Sequence, residues 1–223
     1  MNNLASFIDH TYLKPDATAA HIEKLCGEAL EHQFRAVCVN GVWVRDCKRW
    51  LLGTPVAISA VCGFPLGAGA SAAKAYEAEL AADEGATEID MVMQIGQFLE
   101  GRYADVEADI RTIVNAVKGA AIVKVILETG YLSDEQIVDA CKLAEQAGAH
   151  YVKTSTGFGP GGATVHHVRL MRGAVSDAVK VKASGGIRDH AAALAMIEAG
   201  AERLGTSSGV AIVSGATGDQ SSY

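Results

Sequence analysis

The sequence predicts an α/β fold, a single-domain (β/α)8 TIM barrel, because short β-rich runs alternate with longer helical patterns along the whole chain and eight such runs can be counted. Glycine–alanine pairs also recur where a helical pattern gives way to the next strand. An open doubly wound sheet is the competing arrangement of the same elements. With 223 residues, 49% of them hydrophobic, the chain can bury one sizeable core.

In chain order the strand candidates are SFIDHT, AVCVN, VAISAVC, EIDMVM, IVKVILE, YVKTST, VKVKASG and ERLGTSS. After the first, residues 18–33 place Ile22, Leu25, Cys26, Ala29 and Leu30 at the spacing of one helical stripe. Residues 54–73 carry no charge, but Pro55, Pro65, Gly63, Gly67 and Gly69 make a poor membrane span, so a strand and a loop are expected there. A helix starts at Ser133, where Gln136 completes a capping-box pattern and Ile137, Ala140, Cys141 and Ala144 share the inner face. Gly85-Ala86, Gly119-Ala120, Gly148-Ala149 and Gly200-Ala201 each mark a helix end, where glycine tolerates left-handed backbone. The barrel is expected over residues 1–214 and a flexible tail, GATGDQSSY, over residues 215–223.

A formal net charge of -7 without a Lys/Arg run argues against nucleic acid or an anionic membrane as the partner, while leaving room for a small anionic substrate. Five cysteines, Cys26, Cys38, Cys47, Cys62 and Cys141, are odd in number and lack CxxC spacing, and the chain opens without a signal-peptide pattern. Reduced thiols and a cytoplasmic location are expected.

Barrel active sites lie at the C-terminal ends of the strands, so charges late in apolar strands carry weight: Asp9, Asp90, Lys124, Lys153 and Lys182. Each alone reads as a structural ion pair or a side chain reaching the rim. Together, their surplus of lysine near Lys153 points to a Schiff-base nucleophile. Only a neutral amine attacks a carbonyl, and bringing a lysine from pKa 10.4 to about 7 takes roughly 4 to 5 kcal/mol of differential interaction. Burial supplies part and a neighbouring cation another part. Lys182 is placed to be that cation, and Asp90 to hold it or pass protons through a water.

SGGIR (residues 184–188) and GTSSG (residues 205–209) follow the last two strands and suit an anion through glycine-rich backbone and helix N-termini. GAGASA (residues 67–72) matches a dinucleotide fingerprint, but residues 63–66 separate it from its strand, whereas the fingerprint needs its first glycine in the tight turn. His166 and His167 are sequence neighbours and offer no metal spacing; Asp9, Asp90 and Glu128 could still meet as carboxylates.

At these residues the sequence resembles the deoxyribose-phosphate aldolases, class I aldolases, through IDHTYLKP, VCVN, GFPLGA, GATEIDMVM, VKVILETG, YVKTSTGF, VKASGGIR and GTSSGVAI, in order from Ile8 to Val213. The resemblance implies reversible cleavage of 2-deoxy-D-ribose 5-phosphate to acetaldehyde and D-glyceraldehyde 3-phosphate, on a (β/α)8 barrel, with no metal or organic cofactor and in a homodimer or larger homo-oligomer. It implies Lys153 as the Schiff-base lysine, Lys182 as the lysine that lowers its pKa, Asp90 as the proton-transfer carboxylate and Asp9 as the group orienting Lys182. Gly157, Gly185, Gly186, Ser207 and Ser208 lie where the family holds phosphate, and Tyr223 where some relatives use a C-terminal tyrosine in proton transfer. Phe158 stands where some relatives carry a phosphate-facing lysine, which Arg188 could replace, and Gln94 where many carry asparagine. Two other functions fit parts of the chain: a nicotinamide-dependent oxidoreductase built on GAGASA, and a non-catalytic phosphosugar-binding barrel.

Overall fold

The structure, a computed structural model, describes residues 4–216. Eight parallel strands close into a barrel in sequence order: β1 (Ile8–Tyr12), β2 (Ala36–Val39), β3 (Ala57–Cys62), β4 (Glu88–Val92), β5 (Ile122–Ile126), β6 (Tyr151–Lys153), β7 (Lys180–Ser184) and β8 (Arg203–Thr206). Asp9 of β1 pairs with both Ala36 and Gly205, so the last strand closes on the first and no sheet edge remains. Closure excludes the open sheet and bears out the barrel.

The helices are α1 (Ala19–Glu31), α2 (Val44–Trp50), α3 (Ser71–Glu84), α4 (Ile95–Leu99), α5 (Tyr103–Ala116), α6 (Asp134–Gln146), α7 (Val165–Ala174), α8 (His190–Glu198) and α9 (Gly209–Ser214). At α6 both capping-box bonds form, Gln136 N to Ser133 Oγ at 3.3 Å and Ser133 N to Gln136 Oε1 at 2.9 Å, and Ile137, Ala140, Cys141 and Ala144 are all buried. In α1 the buried stripe is Ile22, Leu25, Cys26 and Ala29. Leu30 departs from the expected stripe: one residue, about 100°, beyond Ala29, it is 38% exposed. The four glycine–alanine junctions do turn through left-handed backbone, with φ of 125° at Gly85, 82° at Gly119, 91° at Gly148 and 110° at Gly200.

Strand alternation sorts the strand residues into two environments. Ile89, Met91, Val123, Val125, Val152 and Val181 belong to the main apolar core. Their alternates Asp90, Lys124, Lys153 and Lys182 are buried too, and they turn inward. The uncharged residues 54–73 supply β3, a loop and the start of α3, and no helix among the described residues is long and apolar enough to cross a membrane. The tail expected from Gly215 falls outside the described residues apart from Gly215 and Ala216.

Candidate active site

The barrel interior holds one continuous ionic layer. Lys153 Nζ and Lys182 Nζ each donate to the same Asp90 oxygen, Oδ2, at 2.7 Å. Lys182 also reaches Asp9 Oδ2 at 2.5 Å. Lys124 donates to the other Asp90 oxygen at 2.7 Å and lies 2.6 Å from Glu88, while Ser59 Oγ donates to Asp90 Oδ1 at 2.9 Å. Arg203 closes the ring by bridging Asp9 at 2.5 Å and Glu88 at 2.7 Å. The barrel brings together all five charges singled out in the strands.

Register explains the convergence. Asp90 pairs with Lys124 across β4 and β5, and Lys153 with Lys182 across β6 and β7, so both pairs project inward from neighbouring strands. Room for Lys182 comes from Gly205, where a Cβ would stand 3.1 Å from Lys182 Cε and 2.9 Å from Ser184 Cβ. Gly205 therefore serves the lysine from within β8. Glu88, Arg203 and Ser59 were not singled out in the sequence. Two-residue alternation could have found Glu88, which shares the Asp90 face, and Arg203, which shares the Gly205 face.

Three carboxylates, Asp9, Glu88 and Asp90, face four cations, Lys124, Lys153, Lys182 and Arg203. Among the described residues one cation is in excess, and their charges balance if one lysine is neutral. Among the described residues Lys124 is within ion-pair range of three carboxylates and Lys182 of two, whereas Lys153 touches only Asp90, which it shares. Burial accordingly lowers the Lys153 pKa below its usual 10.5; Asp90 opposes the fall and Lys182 adds to it. Burial acts the same way on Lys182, but Asp9 and Asp90 overcome it and raise that amine. Burial lowers Lys124 as well, but Asp90, Glu88 and Asp9 together outweigh it and raise that amine. Burial would raise Asp90, yet Lys124, Lys153 and Lys182 hold it well below the usual carboxylate range. Lys153 is 3% exposed, and the apolar cluster of Leu13, Cys38 and Val61, with Phe64 on it, lines the inner wall by strand alternation.

Beside this layer a cavity of about 210 Å³ is lined by Gly157, Gly185, Gly186, Arg188, Thr206 and Ser207, among others. Gly157, Gly185 and Gly186 have φ of 89°, 89° and 79°, a backbone that side chains resist. Ser208 is not in this lining: it is buried, and its N–H donates to Thr206 Oγ1 at 2.9 Å. The N-terminus of α8 is occupied by its own Asp189, which accepts from Ala192 N at 2.8 Å, so the donors facing the cavity belong to loops and to Arg188. No ion pair of Arg188 occurs among the described residues. Phe158 points elsewhere, its ring edge-on to Phe64 at 5.4 Å. Tyr223 lies outside the described residues.

The GAGASA segment has a different job. Lys74, almost wholly buried, donates to the carbonyls of Gly67 at 3.4 Å and Val92 at 3.1 Å and to Asp109 at 2.6 Å. It ties the loop to the end of β4, and the helix begins only at Ser71. Among the described residues no three His, Cys, Asp or Glu side chains could together hold a metal; Asp9 and Asp90 meet across Lys182, while Glu128 binds Thr156.

Sequence comparison matches the DeoC/LacD family aldolases over residues 4–215. The deoxyribose-phosphate aldolase of Carboxydothermus hydrogenoformans is 55% identical over 95% of this chain and 94% of its own; that of Deinococcus radiodurans is 55% identical over 96% of each. Among solved structures, the tetrameric deoxyribose phosphate aldolase of Aeropyrum pernix superposes with a TM-score of 0.88 at 34% identity, over 95% of this chain and 89% of that one. The aldolase QR15 does so with a TM-score of 0.91 at 40% identity, over 96% of both. With a family match over residues 4–215 and relatives 55% identical over nearly the whole chain, the chain belongs to the DeoC/LacD family of aldolases.

Proposed function

We propose that this protein is a class I aldolase that reversibly cleaves 2-deoxy-D-ribose 5-phosphate into acetaldehyde and D-glyceraldehyde 3-phosphate. The observation that carries the proposal is the position of Lys153: a buried amine sharing the Asp90 carboxylate with a second lysine. In the synthetic direction neutral Lys153 Nζ adds to the acetaldehyde carbonyl, and the resulting carbinolamine takes up a proton and loses water to leave an iminium. The iminium is the electron sink when the adjacent carbon gives up a proton to a water held by Asp90 and Lys182. The resulting enamine carbon forms the new bond to the aldehyde carbon of glyceraldehyde 3-phosphate, whose oxygen takes a proton. Water then releases the sugar and restores the amine.

Asp9, held by Arg203, fixes Lys182 beneath Lys153 and keeps it charged. Gly157, Gly185, Gly186 and Ser207, with Arg188 lining the same cavity, take the phosphate; Ser208 supports them through its bond to Thr206. Arg188 supplies the positive charge that Phe158 does not. The barrel ends at residue 214 with the tail beyond it, and a homo-oligomer is the working assembly, in keeping with the tetrameric relative from Aeropyrum pernix. Five buried free thiols fit a reducing, cytoplasmic setting.

Borohydride treatment with acetaldehyde, followed by mass spectrometry, tests the proposal. A reduced two-carbon adduct is expected on Lys153 and none in Lys153→Ala. An unmodified Lys153 would overturn it.

A further inference from the structure

Lys124, Ile126 and Glu128 alternate onto one side of β5 and its extension, so Glu128 stands at the mouth of the barrel beyond the ionic layer. It is 1% exposed, and its backbone is left-handed, φ 56° and ψ 62°, although it is not a glycine. Such a conformation persists only where the surroundings over-determine it, and it gathers at functional sites.

The surroundings here belong to the loop after β6. Leu127 N and Thr129 N donate to the carbonyls of Lys153 at 2.9 Å and Thr154 at 3.0 Å, which fixes Glu128 against that strand end. Its Oε2 accepts from Thr156 N at 3.2 Å and from the Thr156 hydroxyl. That hydroxyl accepts in turn from Phe158 N at 3.0 Å. Residues 156–158 are thus pinned on both sides of Gly157, the left-handed glycine that lines the anion cavity. Gly159 makes room for the clamp, since a Cβ there would lie 2.7 Å from Glu128 Cδ. Gly130 packs against the same loop, its absent Cβ 3.0 Å from Gly161 N.

We propose that Glu128 is a positioning residue for the phosphate half of the site: through Thr156 it holds the turn that presents Gly157 to the phosphate, and it takes no part in Schiff-base chemistry at Lys153. The inference rests on the aldolase reading above. Glu128 acts on recognition of the phosphorylated end of the substrate, and the two-carbon end is untouched by its loss.

Steady-state cleavage of 2-deoxyribose 5-phosphate and of unphosphorylated 2-deoxyribose, by wild type, Glu128→Ala and Glu128→Gln, tests this. Losing a charge-assisted acceptor should raise KM for the phosphorylated substrate about tenfold or more in Glu128→Ala. kcat and all constants for 2-deoxyribose should stay near wild type. Glu128→Gln keeps an acceptor oxygen for Thr156 and should recover most of the loss. If Glu128→Ala does not fold, Gly159→Ala, which crowds the same carboxylate, should give the same selective rise. An equal loss on both substrates, or unchanged KM with a lower melting temperature, would overturn the proposal. Borohydride trapping of acetaldehyde on Lys153 in the same preparations separates the two readings. If wild type itself is not trapped, the aldolase reading fails, and the clamp is judged by thermal-shift titration with inorganic phosphate: weaker binding in Glu128→Ala supports it, equal binding overturns it.

Discussion

Lys153 and Lys124 look alike in the sequence, each a lysine late in a β-rich run, yet their amines shift in opposite directions. The difference is the number of carboxylates within reach, a property of neighbours on other strands that local sequence does not encode. What was legible was the anomaly itself: charge in strands that should be apolar, with lysine in excess. The Lys182 amine meets the Lys153 amine on one Asp90 oxygen, close enough for the two to repel when both are charged. Replacing Lys182 with methionine removes that repulsion while filling similar space. The Lys153 amine should then titrate higher, so the pH profile of acetaldehyde trapping should move to higher pH by about one unit, a roughly tenfold loss near neutrality that alkaline pH restores. An unshifted profile would show that burial alone sets the amine.

At the scale of elements, the strands and the capped helix α6 were legible because their signals are local: β-rich runs, a Ser–Gln cap and glycine at helix ends. Lys74 was not, because a lysine in AAKAYEAEL reads as the solvated face of a helix. In the fold, α3 packs on α5, and Lys74 meets Asp109 in a pair that is almost fully buried. Breaking a buried pair leaves one charge uncompensated, so Asp109→Ala should cost about 3–5 kcal/mol in urea unfolding. It should also loosen the loop after β3, because Lys74 holds the Gly67 and Val92 carbonyls. A cost under about 1 kcal/mol would mean that the ammonium finds other partners.

Across the whole molecule the ionic layer joins β1, β4, β5, β6, β7 and β8, so its protonation bears on the stability of the barrel. Asp9 and Asp90 both have folded pKa values below their usual 3.8, burial being outweighed by Lys182, Arg203 and Lys124 together at Asp9 and by Lys124, Lys153 and Lys182 together at Asp90. A depressed carboxylate contributes stability that is fully present above its unfolded value and lost as pH falls toward the folded one. Stability should therefore hold above about pH 4 and decline steeply below it. Circular dichroism against pH should show that decline, and a flat response down to pH 2 would remove the layer from the stability of the fold. The layer is inaccessible to salt, so added chloride should not mimic acid.

Taken alone, the sequence determined the alternation of strands and helices, the barrel as their arrangement, the glycine-rich turns after the last strands and the lysines worth testing, because each rests on periodicity, backbone tolerance or a charge out of place within a few residues. Only the tertiary structure decided in which direction each buried lysine is shifted, where Glu88, Arg203 and Lys74 find their partners, and how Glu128 reaches the loop of Gly157. Those depend on through-space electrostatics and packing between segments far apart in the chain, which exist only once the last strand has closed against the first.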